Sequence, residues 1–227
     1  MNVFSAVLSE YLPFWKQLSD AQKAHLESVA VKRSFGKGDV LHRGSDDCIG
    51  LLLVLKGIIR VYTVSDEGKE LTLYRLLERD VCLFSAACML SEIQFDVFVS
   101  SEDETEVIVI PARAYKQLME NSLDVAVYTN RLMASRFSDV MWLVDQILNK
   151  KMDQRLAALL LEERSLRESD ELATTHEELA NHLGTVREVV TRMLKYLQEE
   201  KLVVLRRGSV TLTDAGGLEK FAGSSMR

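Results

Sequence analysis

Arg187, Glu188, Thr191 and Arg192 fall within one short stretch, LGTVREVVTRML, laced with valines. A guanidinium can chelate O6 and N7 of guanine, and a carboxylate can accept from N4 of cytosine. On a helix at about 100° per residue, with Arg187 at 0°, Thr191 lies near 40°, Glu188 near 100° and Arg192 near 140°. Val186, Val189, Val190, Met193, Leu194 and Leu197 fall between roughly 200° and 340°, so the polar and apolar sets share no sector. A plainer reading stands beside this one. Thr185-Val-Arg-Glu188 fits a capping box, which would turn Glu188 back to the helix start and leave both arginines as solvated side chains.

The flanking sequence decides between them. Thr175-His-Glu-Glu178 fits another capping box, Leu179, Ala180 and Leu183 supply an apolar face, and Gly184 is a natural C′ residue that stops the helix. Two helices therefore meet across a tight glycine turn. The hairpin LVVLRR-GS-VTLT follows at 202–213, with Arg206, Arg207 and Gly208 near its tip. Helix, turn, helix and hairpin make a winged helix-turn-helix, whose second helix enters the major groove N-terminus first. Arg187, Glu188, Thr191 and Arg192 are expected at bases and the nearby backbone, and Lys195, Arg206 and Arg207 at phosphates. Charge agrees locally. The chain has a net charge of −6, yet residues 185–208 carry six basic residues against three acidic ones, and the local field governs docking on phosphates.

The elements that must position this surface are legible upstream. Residues 1–30 read as helical, with Ser19-Asp-Ala-Gln22 as a capping box. From 31 to 110 the pattern becomes short β-like runs punctuated by Gly: VKRSF, VLHR, IGLLLVL, IIRVYTV, LTLYRLL, FDVFV and EVIVI. Such spacing predicts an antiparallel roll or sandwich. VCLFSAACML, 81–90, reads instead as a short buried helix. Residues 112–122 are helical again, and a long helical pattern continues to 149. Met133, Phe137, Met141, Val144 and Leu148 recur at spacings of 4, 4, 3 and 4, flanked by Val140 and Ile147. This stripe either packs on its own domain or pairs with its twin in a homodimer, and its length favours the dimer. After a polar break at Asn149-Lys150-Lys151 come a helix over 152–166 and a charged loop, RESDE. The fold class is α+β: a jelly-roll-like antiparallel β-roll that senses an effector (1–122), a long dimerisation helix (123–149) and a winged helix-turn-helix (150–227).

Composition narrows the function classes. The start of the chain lacks a basic segment followed by an apolar one, so no secretion signal is expected. The longest apolar runs fall far short of the ~20 residues that cross a bilayer. Three cysteines, Cys48, Cys82 and Cys88, do not make a disulfide framework, and a cytoplasmic protein without a membrane partner is expected. No nucleophile–base pair, Gly-rich phosphate loop or metal motif stands out, so the reading is a regulator and not an enzyme.

Taken in order, nearly the whole chain resembles the Crp/Fnr family of bacterial transcription regulators, and the most specific match is the recognition helix. The catabolite-activator branch shows Arg-Glu-x-x-x-Arg, matched by Arg187-Glu188-Val-Val-Thr191-Arg192; the Fnr branch shows Glu-x-x-Ser-Arg, matched with Thr191 for Ser. The resemblance implies a homodimer reading a palindrome in double-stranded DNA, with G·C pairs in each half-site, and activation would need contact with RNA polymerase. The effector end departs from the family. Cyclic-AMP-binding members carry Gly-Glu-Leu followed about ten residues later by Arg-Ser or Arg-Thr. Anchored on Asp80, those positions hold Leu83-Phe84 and Gln94-Phe95. A phosphate buried without a cation is costly, so cyclic AMP is not expected. An Fnr-style N-terminal cysteine cluster is also missing, since no cysteine precedes Cys48. What remains is an apolar cassette, Val81 to Met89. It is either a pocket filled by its own side chains or a site for an uncharged small-molecule effector lined by Cys82, Phe84, Ser85, Cys88, Gln94 and Phe95. Redox sensing through Cys82 and Cys88 is a third reading, though their spacing is not a metal-ligand signature. His25, His42, His176 and His182 are too scattered to suggest haem ligation. The alternative to a DNA reader is a dimeric sensor or scaffold without sequence preference.

Overall fold

The computed structural model describes residues 3–44, 49–83 and 96–223. The chain divides into two compact units, Met1–Thr63 with Leu73–Val140, and Val64–Thr72 with Met141–Arg227.

The first unit opens with helices α1 (Val3–Tyr11) and α2 (Asp20–Val29), separated by a single 3₁₀ turn at Trp15–Gln17. The expected helical stretch over 1–30 is thus broken, because Pro13 disfavours helical backbone at the residue before it. Ser19 and Gln22 cap α2 reciprocally. Among the described residues eight strands follow: β1 (Val31–Phe35), β2 (Val40–Arg43), β3 (Leu51–Lys56), β4 (Ile59–Val64), β5 (Glu70–Leu76), β6 (Val81–Cys82), β7 (Phe98–Ser101) and β8 (Thr105–Ile110). They form two four-stranded sheets in the orders β1-β8-β3-β6 and β2-β7-β4-β5, and the strand pairs described are antiparallel.

The near-continuous apolar run of β3 has a direct cause. Leu52 and Val54 join Leu41, Ile59, Val61, Val99, Val107 and Val109 in a core drawn from both sheets. Leu51 and Leu53 face the other way, into a core with Leu8, Leu12, Trp15, Leu26, Tyr115 and Val125. A strand buried on both faces loses its polar alternation. β6 obeys the same rule, with Val81 in the helical core and Cys82 in the one between the strands. This corrects the helix expected over 81–90 at its first two residues, which pair with Leu53 and Leu52; the rest of that stretch lies outside the described residues. Helix α3 (Ala112–Asn121) leads into α4 (Leu123–Asn149), and Tyr115 bonds Thr129 across them at 2.8 Å.

The second unit contains the end of α4, then α5 (Met152–Arg167), β9 (Glu171–Leu172), α6 (His176–Leu183), α7 (Arg187–Glu199), β10 (Val203–Arg206), β11 (Ser209–Leu212) and α8 (Ala215–Ala222). Its core is built from Leu156, Leu160, Leu179, Leu183, Val190, Leu194, Leu197, Val203, Val210 and Leu218. Two elements depart from the sequence reading. The end of the charged loop forms β9, which pairs with β11 and makes the hairpin three-stranded. Helix α8 was masked by Gly216-Gly217, poor helix formers. Asp214 caps it by accepting from Gly217 N–H at 2.8 Å, and a Cβ on Gly217 would stand 2.5 Å from that same carboxylate and 2.6 Å from Leu202 Cδ2, so the glycine leaves room for the cap. No helix among the described residues is long and apolar enough to cross a membrane.

Candidate nucleic-acid interface

Helix α6 starts on the expected capping box. Thr175 N–H donates to Glu178 Oε2 at 2.7 Å and Glu178 N–H donates to Thr175 Oγ1 at 3.1 Å. It ends at Gly184, in the left-handed region at φ 69°, ψ 36°, and Thr185 N–H closes the turn on Ala180 O at 3.1 Å. Arg155 of α5 reinforces this corner. Its buried guanidinium donates to Leu183 O at 3.0 Å, satisfying a carbonyl that the end of α6 leaves without a helical partner.

Helix α7 then begins at Arg187 on Val186, which is extended and provides no side-chain cap. The alternative Thr185–Glu188 box is therefore not formed. Thr185 N–H is already committed to the turn, and Thr185 lies one residue too early to cap. Val190, Leu194 and Leu197 are fully buried and Met193 packs against them. Val186, placed with the apolar set by the angular reading, is 40% exposed because it precedes the helix. The hairpin is fixed to α7 through Leu205 N–H, which donates to Gln198 Oε1 at 2.9 Å, and through Leu202 N–H to Leu197 O at 2.9 Å. Its tip is Arg206-Arg207-Gly208.

Arg187, Glu188, Arg192, Lys195, Arg206 and Arg207 are all exposed. None of these cations is in an ion pair among the described residues. A group of exposed cations without carboxylate partners is suited to a polyanion. Thr191 behaves differently. It is half-buried, its hydroxyl donates to Arg187 O at 2.8 Å, and it lies 2.8 Å from His176 Nδ1. Burial, and then the Arg187 guanidinium, hold the His176 imidazole below its ordinary value. No local pattern marks this contact, since it joins residues fifteen apart on different helices.

At the effector end, Cys82 is buried in the core between the sheets. Phe84, Ser85, Cys88, Gln94 and Phe95 lie outside the described residues. A charged side chain that the cassette pattern did not contain comes from α4. Arg136 pairs with Asp139 at 2.9 Å and Asp80 at 3.6 Å, over the Tyr74 ring at 5.0 Å. Burial first of all pushes the Tyr74 phenol well above its ordinary value, so Tyr74 stays neutral. On α4, Phe137, Met141, Val144 and Leu148 are exposed, Phe137 at 69% and Leu148 at 75%. Met133 instead packs against the two cores of the first unit.

Comparison with known proteins agrees with this architecture. Residues 32–122 match the cyclic nucleotide-binding domain and residues 154–221 the Crp-like helix-turn-helix domain. A Crp/Fnr family regulator of known structure from Eubacterium rectale is 50% identical, with 93% of this chain and 98% of that chain covered at a TM-score of 0.92. The transcriptional regulator Flp of Lacticaseibacillus casei is 27% identical over 93% of this chain and 96% of its own. The fumarate and nitrate reduction regulatory protein of Yersinia pestis is 25% identical over 94% and 86%. The chain therefore belongs to the Crp/Fnr family of transcription regulators and carries its DNA-binding helix-turn-helix at residues 154–221.

Proposed function

We propose that this regulator works as a cytoplasmic homodimer that reads an inverted repeat through α7 of each protomer. Arg187, Glu188 and Arg192 face base edges, Thr191 lies among them, and Lys195, Arg206 and Arg207 hold phosphates. One observation carries the reading: exposed Arg187, Glu188 and Arg192 stand at the N-terminal end of a helix whose opposite face is locked into a core. That end is the one a recognition helix brings to the bases. The exposed apolar side chains of α4, Phe137, Met141, Val144 and Leu148, support a two-fold seam. In a dimer of this kind the half-sites lie about 34 Å apart, one turn of DNA.

Cyclic AMP is not the effector in this reading, because Leu83-Phe84 and Gln94-Phe95 supply neither the carboxylate nor the guanidinium that a cyclic phosphate needs. An uncharged ligand, or none, fits the apolar cassette. The protein catalyses no reaction, and its output passes to RNA polymerase from the bound operator. The test is selection of the purified, reduced protein against random duplex DNA without added ligand. An enriched palindrome with G·C pairs in each half-site is expected. A dimer that enriches no sequence, with or without oxidation or cyclic nucleotides, would overturn the reading in favour of a sensor or scaffold.

A further inference from the structure

The one hydroxyl hydrogen of Thr191 is spent inside the protein. Oγ1 lies 2.8 Å from Arg187 O, which can only accept, and 2.8 Å from His176 Nδ1. With Nδ1 protonated, the hydroxyl donates to Arg187 O and accepts from His176; with the other tautomer, its hydrogen goes to Nδ1. The two bonds hold the hydroxyl against the protein's own helices. Thr191 then has no hydrogen to offer O6 or N7 of guanine, N7 of adenine or O4 of thymine. Beyond one remaining lone pair on Oγ1, the group it can present is its methyl. It is also half-buried between exposed neighbours, so it is recessed below Arg187 and Arg192. A short, recessed apolar group meets a base where the base itself projects, and in the major groove that projection is the C5-methyl of thymine.

We infer that His176 is a positioning residue for base recognition: by pinning the Thr191 hydroxyl inward it makes Thr191 an apolar reader of one thymine methyl in each half-site. This rests on the proposed docking of α7 in the major groove. His176 itself contacts no base in this arrangement, and its influence passes through the rotamer of Thr191.

The experiment starts from the half-site obtained by selection and replaces each thymine in turn by deoxyuridine, which lacks only the methyl. Wild-type protein loses roughly fourfold in affinity at one position, the effect of one buried carbon, and little elsewhere. Thr191→Ser binds the thymine and deoxyuridine duplexes alike. His176→Ala loses the methyl dependence, and His176→Asn, whose side-chain amide can donate or accept in place of Nδ1, restores it. That rescue separates positioning from a general loss of structure. Should His176→Ala not fold, Thr191→Ser and His176→Asn, both conservative, still decide the matter. Wild-type binding indifferent to every thymine methyl, a half-site without thymine, or full methyl dependence in His176→Ala overturns the inference while leaving the DNA-reading proposal intact. Failure to bind any duplex specifically would instead remove that proposal.

Discussion

The corner between α6 and α7 sets where the recognition helix points, and Gly184 makes that corner. Its backbone is left-handed, φ 69° and ψ 36°, a region that costs an L-residue roughly 1–2 kcal/mol through its Cβ. Gly184→Ala recovers part of this, about 0.4–1 kcal/mol, because alanine has less freedom to lose from the unfolded chain. A Cβ here would also stand 3.0 Å from Leu71 Cδ1, a side chain of the same unit; the tip of a leucine can give, so this adds little. The net expectation is a loss of about 1 kcal/mol, or roughly fivefold less protection of the α6 and α7 amides. Amide hydrogen exchange of the whole chain, read on peptides covering residues 176–199, measures it directly. Gly184→Asn, which tolerates the left-handed region better, should lose less than Gly184→Ala, and Gly184→Val, β-branched, should lose more. Equal or greater protection in Gly184→Ala would refute the reasoning, since it would mean that the turn does not demand positive φ. The selected DNA sequence should not change, because every reading side chain is intact.

Arg187→Ala should cost about 1–3 kcal/mol on the preferred site and relax one base preference; equal weakening on all sequences, measured by competition binding, would assign Arg187 to phosphate instead. Phe137→Glu combined with Leu148→Glu should give a monomer in sedimentation equilibrium, and a persistent dimer would place the seam elsewhere. His176 supplies a pH dependence whose sign is fixed. Its folded-state value lies below the ordinary 6.5 because of burial and Arg187, so the unfolded chain takes up the proton first and stability falls as pH drops from about 6.5 toward the folded value. Denaturation of wild type against His176→Asn should show a stability gap that is constant above pH 6.5 and shifts against wild type below it; a gap that does not change with pH would contradict the assignment.

What could be read from the sequence, and what could not, divides along a physical line. Local chemistry was legible wherever one residue type answers one backbone need: Thr175 with Glu178 at a helix start, Gly184 at a helix end, and the one-sided apolar pattern that buries Val190, Leu194 and Leu197. The pattern misled where two demands compete in the same few residues. Val81–Cys82 is a strand whose two sides both face a core, so it lacks alternation and resembles a buried helix. Gly216-Gly217 lowers the local helix propensity, yet Gly217 leaves room for the Asp214 cap and for Leu202, and α8 forms against the local preference. The features that refine the candidate sites are tertiary in origin. Arg136 reaches Asp80 and Tyr74 from α4, more than fifty residues along the chain, and His176 reaches Thr191 from the neighbouring helix. The sequence presents Thr191 as a hydroxyl displayed beside two arginines, and only the partner across the turn shows that the hydroxyl is already spent. Residue type therefore named the surface proposed to meet DNA, while the hydrogen-bond partners of Thr191 determine which of its atoms are left to face outward.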